Sequence, residues 1–172
     1  MSEPKFLVGR VTLSDRAAAG VYEDASGPEI ERVLRGFFDE EMEFHARVLP
    51  DDRTAIEETL RAMVDDGLPL IVTTGGTGPA VRDVTPEATR SVIEKELPGF
   101  GEIMRMRSFE TVPTAILTRA LAGIAGCSLI VNLPGRPTAI GECLALIAPA
   151  IAECLDHVVG WRPRLSAATK TR

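Results

Sequence analysis

The stretch Leu70-Ile-Val-Thr-Thr-Gly-Gly-Thr-Gly-Pro-Ala-Val-Arg-Asp-Val-Thr-Pro86 decides the fold. Its branched apolar start has the length of a buried strand, and a glycine cluster then leads to a helix-start signal at Thr85 and Pro86. Gly75, Gly76 and Gly78 let backbone N–H groups turn toward an anion, while Thr73, Thr74 and Thr77 add hydroxyl donors. Asp83 sets a carboxylate beside that anion, an unfavourable placement unless a cation such as Mg2+ lies between them. The stretch lacks the lysine of a P-loop, and its glycines lack dinucleotide-binding spacing. The same residues also suit a tight turn in which Asp83 only supports the next helix, so the pattern by itself leaves both readings open.

Working outward, Phe6 to Leu13 reads as a first strand ending at Ser14-Asp15-Arg16, and Ser128 to Asn132 as a later strand leaving through Leu133-Pro-Gly-Arg-Pro137. Met42, Phe44, Ala46 and Val48 alternate with Glu43, His45 and Arg47, the period of a strand with one wet face. His45 has no companion ligand at metal-binding spacing and reads as a solvated residue. Ser26 with Glu29 and Thr54 with Glu57 have capping-box spacing ahead of amphipathic helices. The second box leaves at least one of Asp51 and Asp52 free for other work. Ala88, Val92, Ile93 and Leu97 predict a helix that stops before Pro98, and helical spacing resumes over 101–107. The segment 112–118 is ambiguous between helix and extended chain. Ile140, Leu144, Ile147, Ile151 and Leu155 predict a last helix, kinked at Pro149.

Strands alternating with helices predict a three-layer α/β/α domain with a mainly parallel sheet over residues 5–160. The basic segment 161–172 is expected to be disordered. In such a sheet ligands bind at the carboxyl ends of the strands. Ser14 to Arg16, Asp51-Asp52, Thr73 to Asp83 and Asn132 to Arg136 each follow a predicted strand, so they share one rim. Local turns remain the alternative for Ser14 to Arg16, as helix capping does for the aspartate pair.

The 172 residues, 45% of them hydrophobic, can build a core without metal or disulfide help. A formal charge of −6 argues against general nucleic-acid binding, which needs surplus Lys and Arg. Cys127, Cys143 and Cys154 lack zinc-site spacing and read as reduced core residues. Neither a signal-peptide pattern nor a membrane span is found, so a cytoplasmic protein is expected.

Several stretches together carry a resemblance: Thr12-Leu-Ser-Asp-Arg16, Gly20-Val-Tyr-Glu-Asp24, Leu49-Pro-Asp51, Thr74-Gly-Gly-Thr-Gly-Pro79, Arg82-Asp-Val-Thr-Pro86, Pro98-Gly-Phe-Gly101 and Asn132-Leu-Pro-Gly135. From about Val8 to the last helix the chain resembles the MogA/MoaB family of molybdenum-cofactor biosynthesis, on its MogA side. The resemblance implies a homotrimer that uses Mg2+ and ATP. In the implied reaction the terminal phosphate of molybdopterin attacks the α-phosphorus of ATP, pyrophosphate leaves, and a separate molybdate insertase takes the product. Asp51 and Asp83 match the family's functional aspartates, with Asp83 the better candidate for holding the metal. Thr74, Gly75, Gly76, Thr77 and Gly78 match the phosphate loop, with Ser14, Asp15 and Arg16 facing it. Ser108 matches the pterin side, and Asn132, Pro134 and Gly135 match a nucleotide loop. Val81 stands where some relatives have a second basic residue, which leaves more to Arg82. A noncatalytic pterin carrier with the same fold, or a related binding module, is the competing reading.

Overall fold

A computed structural model describes residues 5–170. Met1 to Pro4 and Thr171 to Arg172, the outer parts of the predicted leaderless start and basic tail, lie outside them. Six strands form one sheet in the order β2-β1-β3-β6-β5-β4. Strands β1 (Phe6–Leu13), β2 (Met42–Leu49), β3 (Leu70–Thr74) and β6 (Ser128–Leu133) run parallel. Strand β5 (Ala122–Ala125) is antiparallel to β6, and the two-residue β4 (Lys95–Glu96) is antiparallel to β5.

Helices cover both faces, as a mainly parallel sheet requires. On one face α2 (Ser26–Phe37), α5 (Pro98–Phe109) and α6 (Pro137–Val159) bury Ile30, Leu34, Met104, Leu144 and Ile151 against Val8, Val72 and Val131. On the other, α3 (Arg53–Asp65) and α4 (Thr85–Val92) bury Ile56, Leu60 and Ala88 against Val11, Ile71 and Ile130. Helix α6 is long and apolar enough to span a membrane, but Ile140, Leu144, Ile147, Ile151 and Leu155 on it are all buried in this core.

The four expected strands are present, and β4 and β5 are additional: Lys95-Glu96 is charged and two residues long, and Ala122-Gly-Ile-Ala125 is apolar but short and rich in Ala and Gly. The helix expected to reach Leu97 stops at Val92, because Glu94 and Leu97 instead donate backbone N–H to Ile124 and Ala122. Pro98 starts α5 rather than breaking it, and the ambiguous segment is a 3-10 turn, Pro113–Leu117. Neither Ser26 nor Thr54 is the cap its spacing suggested. Asp24 Oδ1 accepts from the Ser26 and Gly27 amides, and Asp52 Oδ1 accepts from Ala55. Asp51 is therefore the free member of its pair. Thr85 is likewise inside α4, which Val84 caps. Ala46 and Val48 are exposed because β2 is an edge strand. Cys143 is buried and Cys154 half-buried, but Cys127 is exposed in the turn after Gly126, so it is not a core thiol.

The segment after 160 is also not disordered over its described residues. The Trp161 ring stands edge-on to Phe6 at 5.0 Å, and Leu165 bridges Phe38. Ser166 bonds Phe37 and Gly36, and α7 (Ala167–Lys170) follows. Basic composition is a poor guide here, because Arg164 and Arg162 are paired with Glu40 and Glu153. Trp161→Ala is expected to cost about 2 kcal/mol of stability through lost packing. Denaturant unfolding measures it, and a change under about 0.5 kcal/mol would rule out a structural role for the ring.

Candidate functional site

Two cavities open at the carboxyl ends of β1, β3 and β6. The first, of about 350 Å³, is walled by Thr77, Gly78, Met104, Ser108, Pro134 and Cys143. The second, of about 320 Å³, holds Ser14, Asp51, Gly75, Gly76, Arg82 and Asp83. Gly135 lines both, and the run from Gly75 to Gly78 passes from one to the other.

Close packing of the strand ends shapes that run. A Cβ on Gly75 would collide with the Leu13 carbonyl, and Gly75 and Gly76 take φ of +96° and +61°. Two successive left-handed residues turn the chain back on itself, a conformation glycine adopts without steric cost. Among the described residues the backbone N–H groups of Gly76, Thr77 and Gly78 have no hydrogen-bond acceptor. Such a row of amides makes a cradle for an anion. The loop is pinned around it: Thr85 Oγ1 donates to Gly75 O (2.9 Å), and Thr85 N to Gly76 O. The partition between the cavities is fixed in the same way. Thr74 Oγ1 donates to Pro134 O at 2.7 Å and Ser26 Oγ to Gly135 O at 2.9 Å.

Asp51 is held by a reciprocal exchange with Asp15. The Asp51 amide donates to Asp15 Oδ1 (2.9 Å) and the Asp15 amide to Asp51 Oδ2 (3.3 Å). Its other oxygen, Oδ1, is buried without a partner and faces Gly76, where a Cβ would stand 3.0 Å away. Burial raises the Asp51 pKa, and repulsion from Asp15 and Asp83 adds to this against the Asp15 amide and the Arg82 charge. A buried, unpartnered carboxylate oxygen with a raised pKa calls for a cation or a proton. Asp83 Oδ2 accepts from the Ala80 amide at 2.9 Å, which orients that carboxylate at the loop's end.

Not every residue expected here reaches a cavity. Asn132 is fully buried on the α4 side, where Nδ2 donates to Thr73 and Thr89 hydroxyls at 2.9 Å each; the strand period sends it away from the rim that Pro134 and Gly135 occupy. Arg16 lies off both cavities, 5.1 Å over the Tyr22 ring. Thr74, by contrast, lines the second cavity, although it is buried and its hydroxyl is spent on the partition. Ser14 also lines the second cavity, where it caps α1 (Asp15–Ala18) through Ala17 N and meets the Tyr22 hydroxyl at 2.7 Å.

Two other residues carry the site without having stood out. Asp24 Oδ2 accepts from Arg10 (3.0 Å) and Thr12 (2.9 Å), and a charged Arg10 inside an apolar strand was the signal that it needed acidic partners. The Cys143 thiol is pushed up to about 11 by burial, against the Ser108 hydroxyl 4.0 Å away, so it lines the first cavity as a neutral group.

Residues 9–153 match the family described as a probable molybdopterin binding domain. The chain belongs to this family. It is 53% identical over 154 residues to the molybdopterin adenylyltransferase of Helicobacter pylori J99, covering 89% of this chain and 88% of that one. Its identity to the Escherichia coli K12 molybdopterin adenylyltransferase is 46% over 151 residues, with 87% and 77% covered. The solved structure of the molybdopterin biosynthesis enzyme MoaB from Thermus thermophilus superposes with a TM-score of 0.84 at 40% identity, over 92% of this chain and 99% of that one. Membership of the molybdopterin-binding family agrees with the mixed α/β sheet and its rim.

The raised Asp51 pKa has a consequence for stability. The folded state binds this proton more tightly than the unfolded chain, so stability falls as pH rises from the ordinary carboxylate range through the raised value. Asp51→Asn is therefore expected to unfold at the same temperature as wild type or higher at neutral pH, with the difference vanishing in acid. Thermal scans across that range test it, and a lower midpoint for the variant at neutral pH would contradict the unpaired carboxylate.

Proposed function

We propose that this chain is a molybdopterin adenylyltransferase that moves AMP from ATP to the terminal phosphate of molybdopterin, releasing pyrophosphate. It works in the cytoplasm, ahead of a separate molybdate insertase. The observation that carries this reading is the pair of adjoining cavities joined by unbonded amides of Gly76, Thr77 and Gly78. Relatives bearing that activity's name align over most of both chains. The first cavity, with Ser108 on its wall, receives the pterin, and the second receives the nucleotide, so the phosphates meet at the glycine run.

The residues fit Mg2+, because Asp51 Oδ1 is a buried orphan oxygen and the Asp83 carboxylate lines the same cavity. Two carboxylates with substrate phosphate oxygens are a common donor set for this ion. When bound, Mg2+ supplies charge neutralisation and polarisation at the α-phosphate. The chain's own part is positioning. The loop amides hold phosphate oxygens, the Asp15 exchange fixes Asp51, the Ala80 amide aims Asp83, and Arg82 adds positive charge at the mouth. Phosphoryl chemistry of this kind needs no covalent nucleophile, and the neutral Cys143 thiol offers none.

Incubation with molybdopterin, ATP and Mg2+ is expected to yield the adenylylated pterin. Asp83→Asn is expected to slow product formation by about a hundredfold while pterin binding persists. Pterin binding by the wild-type chain with no product would favour a noncatalytic carrier.

In the same reading the protein is a homotrimer. Met106 and Phe109 on α5 and Ile116 and Leu117 in the 3-10 turn that packs beside it are large, apolar and exposed, the composition of a surface covered by another copy. Light scattering is expected to give the mass of three chains, and a monomer at micromolar concentration would overturn the assembly.

A further inference from the structure

The segment from Gly78 to Asp83 crosses the surface with little to hold it. Pro79, Ala80, Val81 and Arg82 are all exposed, and no apolar side chain in it is buried. Its internal bonds are local, from Ala80 N to Asp83 Oδ2 and from Asp83 N to Ala80 O. Both of its ends are nevertheless fixed from behind by one side chain that lies off the two cavities. Arg119 Nε donates to Gly78 O at 2.9 Å, Nη2 donates to Asp83 O at 2.6 Å, and Nη1 donates to Glu87 Oε1. The Arg119 amide also donates to Thr77 O at 2.8 Å, and Thr118 Oγ1 donates to Thr77 Oγ1 at 3.2 Å.

We propose that Arg119 is a positioning residue for the adenylyl transfer, clamping the two carbonyls that bracket the Asp83 loop and thereby setting where the Asp83 carboxylate stands. The assignment rests on the function proposed above. All three guanidinium nitrogens donate to protein oxygens and the side chain lines neither cavity, so the group is a fastening rather than a phosphate ligand. A planar fork is required, because its donors must diverge to Gly78, Asp83 and Glu87 at once, and an ammonium cannot reproduce that geometry. Glu87, in the first turn of α4, supplies the counter-charge. Burial, the largest single influence, opposes its ionisation, but the Arg119 bond, a backbone amide bond and the Arg119 and Arg90 charges together hold its carboxyl below the ordinary range. The clamp thus ties the loop to the start of the helix that follows it.

The test compares wild type, Arg119→Lys, and a double variant, Arg119→Gln with Glu87→Gln, which removes both charges so that neither is left buried alone. Three quantities are measured: amide hydrogen exchange at Ala80 and Asp83, the Mg2+ dependence of adenylyl transfer, and molybdopterin affinity. In both variants the two amides are expected to exchange faster. The rate is expected to fall about tenfold or more and the Mg2+ requirement to rise, as happens when support behind a metal ligand is lost, while pterin affinity holds. Unchanged exchange in the folded Lys variant would overturn the clamp. So would unchanged kinetics per folded molecule, or a loss of pterin affinity at constant Mg2+ requirement. If wild type makes no product, the activity reading fails on its own, since the exchange measurement still reports on the loop.

Discussion

The site depends on how closely the carboxyl ends of β1, β3 and β6 approach one another. Gly75 has room for no side chain because the Leu13 carbonyl occupies the space, and its amide already donates to Leu133 O at 3.3 Å. On the other side a Cβ at Gly135 would lie 3.3 Å from the Gly75 α-carbon. Three strand exits packed this tightly force the middle one to double back. That turn points the next amides into open space, and it leaves the Pro134-Gly135 segment as a thin wall with a cavity on each side. The wall stays in place because its carbonyls are bonded by Thr74 and Ser26.

Electrostatics then divide the labour. A pocket read as a phosphate site is lined by Asp51 and Asp83, with Asp15 bound to the first. Burial first, and then the like charges of Asp15 and Asp83, raise the cost of ionising Asp51. The arrangement is reasonable for a site that gains its positive charge with its ligands. The chain's inner arginines are committed elsewhere. Arg10 sits between Asp24 and Glu31, and Arg119 among Gly78, Asp83 and Glu87, so both hold the frame that surrounds the pocket.

The same principle explains which polar residues serve ligands and which serve the fold. Asn132 and Thr73 are paired in register across β3 and β6 and share a hydrogen bond inside the layer of α4. One residue further along β6 the chain faces the other layer, and beyond Leu133 it reaches the rim. A difference of one position in a strand thus moves a residue between core and site.

The sequence by itself determined the parallel strands, since Phe6 to Leu13, Leu70 to Thr74 and Ser128 to Leu133 are local apolar runs whose burial is set by their own side chains. It also determined the glycine turn, because backbone conformation at glycine is a local matter, whereas the freedom of Asp51 followed only from Asp52, not Thr54, capping α3. Only the tertiary structure decided the rest. Strand β5 exists because β6 offers it an edge, and β4 because β5 does in turn, not because Lys95-Glu96 or Ala122 to Ala125 favour extension. The segment after Trp161 is ordered because Phe6 and Phe38 receive it. Arg119 acquires its part from Gly78, Asp83 and Glu87, more than thirty residues away along the chain, and a hydrogen bond across such a distance leaves no mark on the residues beside it.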